Sequence, residues 1–152
     1  MTSFSIRPCT PDDIGQCRRI ASQHWNDWEV RQYMEQLAAS WLGTFPDRPH
    51  WIAAVEHGTG HLVGFAGYRR SWQMPNAWEL IGVNVDQNRQ RRHVGGFLTQ
   101  MRIRSIQNAG GTYITCATIV PDFFRKFGFK VIDTSAEWSI MARDISQEKT
   151  VP

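Results

Sequence analysis

The sequence predicts a mixed α/β (α+β) fold, a central mixed sheet with helices packed on it. Three observations carry that expectation. Runs rich in β-branched and apolar residues mark strands, and apolar residues three to four apart mark helices. The two kinds of segment succeed one another in the order β-α-α-β-β-β-α-β-α-β-β. At 152 residues, the chain suits one domain with a buried core, placed at residues 1–144, with residues 145–152 as a polar C-terminal tail.

Ser5-Ile6-Arg7 reads as a short first strand. Thr10-Pro11-Asp12-Asp13 opens a helix: Thr10 can cap it, Pro11 suits the first helical position, and the aspartates favour its positive end. Ile14, Cys17, Ile20 and Ala21 then recur at helical spacing. A second helix is expected over Glu29–Leu42, with Val30, Tyr33, Met34, Leu37 and Trp41 on one face. The pattern changes after Pro46 and Pro49. Trp51–Val55 is a strand, Gly58-Thr59-Gly60 a turn and His61–Tyr68 the returning strand of a hairpin.

Ser71–Asn76 is a loop, and Trp78–Val85 another strand. Val94–Asn108 follows as a helix with Val94, Phe97, Leu98, Met101 and Ile106 as its inner stripe, stopped by Gly110-Gly111. Tyr113–Ile119 is a strand and Pro121–Phe127 a short helix braked by Gly128. Phe129–Ile132 and Glu137–Ala142 complete the set, and the tail after Asp144 is expected to fray. The strand–helix–strand unit from Trp78 to Ile119 fits a parallel crossover.

Composition narrows the function. With 41% hydrophobic and 20% charged residues, the chain resembles an ordinary soluble protein. No apolar run approaches the roughly 20 residues that span a bilayer, and the first residues lack the apolar core of a secretory signal. Cys9, Cys17 and Cys116 have no metal-binding spacing, so reduced thiols in a cytoplasmic protein and no metal are expected. The net charge is +3, and five of the 17 basic residues fall between Arg89 and Arg104. That concentration suits an anionic ligand. Nucleic acid is disfavoured, because no broad basic stripe or neighbouring stacking aromatics accompany it. The seven tryptophans suit core packing or an aromatic-walled pocket.

The segment Asn88–Leu98, NRQRRHVGGFL, carries the most chemistry. A helix leaves its first backbone N–H groups without intrahelical partners, and its dipole favours anions there. Gly95 and Gly96 would let an anion approach closely, while Arg89, Arg91 and Arg92 could pair with phosphates. A solvated basic turn with helix-packing glycines serves the spacing equally well. Neither a P-loop nor the dinucleotide fingerprint is present.

Val85–Gly95 resembles the acetyl-CoA signature of the GNAT N-acetyltransferases, Arg/Gln-x-x-Gly-x-Gly/Ala after a strand, with Gln90 first and Gly95 last. Phe123-Phe124-Arg125-Lys126-Phe127-Gly128-Phe129 resembles the family's Phe-Tyr-x-Lys-x-Gly-Phe element. Ser5–Asp13 is similar to its opening strand and helix. The resemblance implies that the backbone amides of Arg91, Arg92, His93, Val94, Gly95 and Gly96 hold the pyrophosphate of acetyl-CoA, with Gln90 opening the turn. It implies that Val83, Asn84 and Val85 bond the pantetheine arm as an added strand would, with Phe124 beside the cofactor. Glu79 falls where several members keep a general base. A carboxylate there can take a proton from an ammonium acceptor, directly or through water. An exposed strand glutamate is the alternative reading.

Three departures qualify the match. His93 stands in the first motif glycine's place, so the turn needs a changed backbone angle or uses the imidazole on a phosphate. Ala117 replaces a common asparagine. Phe124 replaces the tyrosine that typically protonates the departing thiolate, and phenylalanine has no exchangeable proton. Cys116 and Tyr68 are conceivable substitutes, although packing explains each.

The resemblance places the acceptor near His24–Glu29 and Ser71–Asn76. Aromatic rings with Asp27 and Glu29 would suit an ammonium group, although both acids equally suit the start of a helix. The expected activity is acetyl transfer from acetyl-CoA to a primary amine by direct attack. The rival is a non-catalytic acyl-CoA-binding regulatory or interaction module. A homodimer is compatible with either.

Overall fold

A computed structural model describes residues 4–42, 48–89 and 93–148. Its elements are β1 (Phe4–Pro8), a 3-10 turn (Pro11–Asp13), α1 (Ile14–Ala21), α2 (Asp27–Ala39), β2 (His50–Glu56), β3 (Leu62–Arg70), β4 (Ala77–Val85), α3 (Val94–Asn108), β5 (Tyr113–Thr118), α4 (Pro121–Arg125), β6 (Lys130–Ser135) and β7 (Trp138–Asp144). The strands form one sheet in the order β1-β2-β3-β4-β5-β7-β6. β4 and β5 pair in parallel across α3, the crossover expected from the sequence. β1 with β2, β5 with β7 and β6 with β7 are antiparallel.

Local chemistry moves several boundaries. α2 begins at Asp27 rather than Glu29, because Asn26 is its cap and accepts the Glu29 N–H at 2.8 Å. It ends at Ala39 rather than Leu42, where the Ser40 hydroxyl donates to the Leu37 carbonyl at 2.6 Å. The chain divides into two compact units, Met1–Gly67 with Gly82–Thr99 and Tyr68–Ile81 with Gln100–Pro152.

The first unit buries Phe4, Ala54, Val63, Ala66, Val94 and Leu98, with Val83 and Val85 packed against them. Beside this cluster, the Tyr33 ring packs on Trp25, Trp51 and Phe65 at centroid distances of 5.9, 6.2 and 6.3 Å. Trp51 lies so close over Gly67 that a Cβ there would meet the indole at 2.8 Å. At the start of α1, Arg7 grips both oxygens of Asp13 at 2.7 and 2.9 Å, and the Thr10 N–H donates to the same carboxylate at 2.7 Å. The Arg7 guanidinium, with the Thr10 amide, holds this carboxyl below the usual range against the opposing effect of burial.

The second unit packs Ile106, Ile114 and Met141 out of solvent. Phe124 and Phe129 stack edge to face at 5.8 Å. Residues 145–148 are tied down where fraying was expected. Ile145 is buried and donates to the Thr112 carbonyl at 2.9 Å, while Glu148 accepts from Arg143 and Gln107 at 2.7 and 2.6 Å.

The inner stripe of α3 also differs from expectation. Phe97 and Met101 are 44% and 38% exposed. The buried positions are Val94, Leu98, Arg102 and Ile106, with Thr99 and Ile103 beside them. They form a ridge of four-residue steps, and Phe97 and Met101 lie one position off it. Arg102 is fully buried on this ridge, a place the sequence reading assigned to apolar residues.

Replacing Asp13 with Asn should cost about 1.5–3 kcal/mol at neutral pH, the range for hydrogen bonds to a charged group. The folded carboxyl lies below its ordinary value of 3.8, so its stabilisation is present above that value and is lost as pH falls through the folded one. Urea titrations at pH 7 and pH 3 should therefore show the gap between the parent and the Asp13→Asn variant narrowing in acid.

Candidate active site

β4 carries four of the candidate residues, Glu79, Val83, Asn84 and Val85. Its register with β5 runs from Ala77 opposite Tyr113 to Leu80 opposite Cys116. Two residues later Gly82 has φ 55°, in the left-handed region. A Cβ on it would lie 2.4 Å from Tyr33 Cε1, so glycine is required both by the angle and by the ring against it. Val83, Asn84 and Val85 follow. The Asp86 N–H donates to the Val63 carbonyl at 2.8 Å, which turns the backbone of Asp86 and Asn84 toward β3. By strand alternation, the peptide groups of Val83 and Val85 face the opposite edge. That edge can accept an extended ligand as an added strand.

The turn after β4 is held by buried acids. Asp86 pairs with Arg19 at 3.1 Å and accepts the Asn88 N–H at 3.1 Å. Burial disfavours its charge, yet the Asn88 amide and the Arg19 guanidinium outweigh that and hold the carboxyl below the usual range. Arg89, expected at the rim as a phosphate ligand, instead directs Nε to Glu56 Oε2 at 2.7 Å. The nearly buried Glu56 carboxylate makes this arginine a strut across the turn. Gln90, Arg91 and Arg92 lie outside the described residues.

His93 has φ 59°, so a side chain occupies the left-handed angle that glycine accepts more readily. The changed backbone angle raised by its place in the motif is present. α3 begins at the next residue, and the Phe97 N–H bonds the His93 carbonyl at 3.1 Å. The helix therefore leaves the N–H groups of Val94, Gly95 and Gly96 without intrahelical acceptors, the arrangement that suits an anion. Val94 is buried, while both glycines are half-exposed.

Four contacts, that of Arg19 with Asp86 among them, join α1 and the loop after it to this strand end, and no local sequence pattern announces them. Arg19 meets Asp86, and Gln23 Oε1 accepts the Gln87 N–H at 3.0 Å. His24 Nε2 lies 2.7 Å from the Val85 carbonyl, and Trp25 Nε1 donates to Asn84 Oδ1 at 2.6 Å. Their partners lie about 60 positions away in sequence, beyond the reach of any local pattern. Asn84 is 1% exposed, and its Nδ2 finds no partner among the described residues.

In the second unit, Glu79 is 41% exposed at its side chain and pairs with Arg69 at 3.3 Å. Phe124 is buried beside Phe123 at a ring distance of 5.0 Å. The Cys116 thiol is pushed up to about 12 by burial, which outweighs the opposing effect of Arg102. It is a weak proton donor. Tyr68 packs on Trp78 at 5.9 Å. A cavity of about 430 Å³ is lined by Gln100, Arg104, Gln107, Lys126, Phe127 and Arg143, a basic and partly aromatic set.

The expected acceptor residues are dispersed in their roles. Asp27 and Glu29 occupy the first turn of α2, where acids favour the helix dipole. Trp28 and Trp72 are 66% and 84% exposed. Among the described residues, no group of His, Cys, Asp and Glu is placed to hold a metal ion, and no helix is long and apolar enough to cross a membrane.

An open strand edge, a braced turn and a helix with two glycines in its first turn are an arrangement that suits an anionic, extended ligand. Residues 16–129 match the acetyltransferase (GNAT) family, and the chain belongs to that family of acyltransferases. No curated protein matches the sequence. A GNAT-family protein from Desulfovibrio desulfuricans shares the fold with a TM-score of 0.82 at 17% identity, over 93% of this chain and 99% of the other. The PaiA N-acetyltransferase of Thermoplasma acidophilum, in complex with coenzyme A, gives 0.72 at 16% identity over 93% and 99%. A GNAT acetyltransferase of Brucella melitensis, in complex with acetyl-CoA, gives 0.72 at 18% identity over 100% and 93%.

The strained angle at His93 makes a prediction. Replacing His93 with Gly should stabilise the chain by about 0.5–1 kcal/mol, the relief of a left-handed side chain less glycine's greater freedom when unfolded. Chemical denaturation of the two proteins checks it.

Proposed function

We propose that the protein transfers an acetyl group from acetyl-CoA to a primary amine, on a small molecule or a lysine-like or N-terminal position. The reaction is direct attack within a ternary complex in one catalytic domain, with residues 145–152 as its tail. The observation that carries this reading is the open edge at Val83 and Val85, followed by the glycine-bearing start of α3. An extended amide-rich arm ending in a pyrophosphate matches that succession of donors and acceptors.

In this reading the backbone N–H groups of Arg91, Arg92, His93, Val94, Gly95 and Gly96 take the pyrophosphate, with Gln90 as the first residue of the motif. Val83, Asn84 and Val85 align the pantetheine, and Phe124 packs beside the carrier. Glu79 accepts a proton from the ammonium acceptor, directly or through water. The free amine then forms a bond to the thioester carbonyl carbon, and the tetrahedral adduct expels the thiolate as the C–S bond breaks. The nitrogen loses its second proton, and the thiolate is reprotonated from water because Phe124 offers none. No metal takes part, and the work is done in the cytoplasm. A homodimer is compatible with this reading.

Phe124 also motivates the second reading, a non-catalytic acyl-CoA-binding module. Coenzyme A should raise the melting temperature under both, but only the enzyme releases free thiol from acetyl-CoA with an amine panel. Glu79→Gln should slow that release by about 10²-fold or more if Glu79 is the base. An unchanged rate would remove it from the mechanism. Phe124→Tyr should accelerate release, and no gain would show that the missing acid does not limit the rate.

A further inference from the structure

We propose that His24 is a positioning residue for the acyl carrier, one that orients the Val85 peptide on the edge where pantetheine binds. The inference rests on the coenzyme A reading above. A carbonyl can only accept, so the 2.7 Å contact requires the hydrogen on Nε2 of His24. Val85 O lies on the open edge, because Asp86 spends its own N–H on Val63 of β3. His24 therefore engages one of the few backbone groups that an added strand would use.

The neighbouring contacts separate this role from general bracing. Arg19 on Asp86, Gln23 on the Gln87 N–H and Trp25 on Asn84 Oδ1 already tie α1 and its loop to residues 84–87. Of the four, His24 alone reaches a main-chain acceptor on the ligand-facing edge. A carbonyl oxygen has two lone pairs. With one held by the imidazole and the Asp86 N–H of the same peptide on Val63, the Val85–Asp86 plane is held from both sides and the second lone pair keeps a set direction. The carrier then meets an edge already in its bound orientation, which lowers the cost of ordering it.

Titration calorimetry with coenzyme A and with adenosine 3′,5′-diphosphate, which lacks the pantetheine arm, tests the assignment. His24→Phe keeps a ring but loses the donor, and should raise the coenzyme A Kd about 5–10-fold, a shift of the size expected for one hydrogen bond. Its affinity for adenosine 3′,5′-diphosphate should stay within about twofold of the parent, because that ligand does not touch the strand edge. His24→Gln places an amide N–H near the position of Nε2 and should restore coenzyme A binding to within about twofold. The proposal is overturned if His24→Phe binds coenzyme A like the parent, if both ligands weaken equally, or if His24→Gln binds as poorly as His24→Phe. Should His24→Phe not fold, His24→Leu, which also lacks the donor, takes its place and is read by the same outcomes. A parent that gives no heat with coenzyme A refutes the carrier reading instead.

Discussion

The left-handed glycine of β4 and the tyrosine ring laid against it form the constraint on which the candidate site depends. Gly82 has φ 55°, and the space a side chain would need is filled by Tyr33. A strand with an ordinary residue there would keep its regular pleat. With glycine the pleat is interrupted just after the last residue registered on β5, Leu80. Val83 and Val85 can then offer backbone groups to something other than a strand of this chain. Tyr33 is itself fixed among Trp25, Trp51 and Phe65, so the aromatic packing of the first unit and the geometry of the strand end are one mechanical arrangement.

The same economy governs the turn that follows. Its acids are nearly buried and each is matched: Asp86 by Arg19 and the Asn88 amide, Glu56 by Arg89. Breaking one partner of such a pair would strand a charge in a poorly solvated place. The pairs therefore fix where the turn begins, and α3 fixes where it ends through the Val94 and Leu98 side chains in the core. Between these limits the helix opens on two glycines. Fold and ligand chemistry meet at that point.

Much of this was legible in the sequence because much of it is local. The order of elements followed from periodicity, and the Asn26–Glu29 cap moved only a boundary. The place of His93 in a glycine motif points to an altered backbone angle, and the residue has φ 59°. What the sequence did not disclose depends on residues far apart in the chain. Arg89 looked like a phosphate ligand because Glu56, 33 positions earlier, was not visible as its partner. His24 and Trp25 looked like acceptor-side residues, yet they reach Val85 and Asn84. Gly82 did leave a signal, a lone glycine inside an apolar strand, which went unused. Phe97 and Met101 were misplaced because two helical faces one residue apart are equally periodic, and only packing chooses between them. Arg102 shows the limit from the other side, a cation fully buried on a ridge that periodicity reserves for apolar residues.

The pairing of Arg89 with Glu56 changes how the cluster of arginines should be counted. A guanidinium already neutralised by an internal carboxylate contributes little to the long-range field that draws a polyanion from solution. It also releases few counterions when that polyanion arrives. In the coenzyme A reading, Arg89 therefore adds less to the capture of a charged carrier than its place among the arginines suggests.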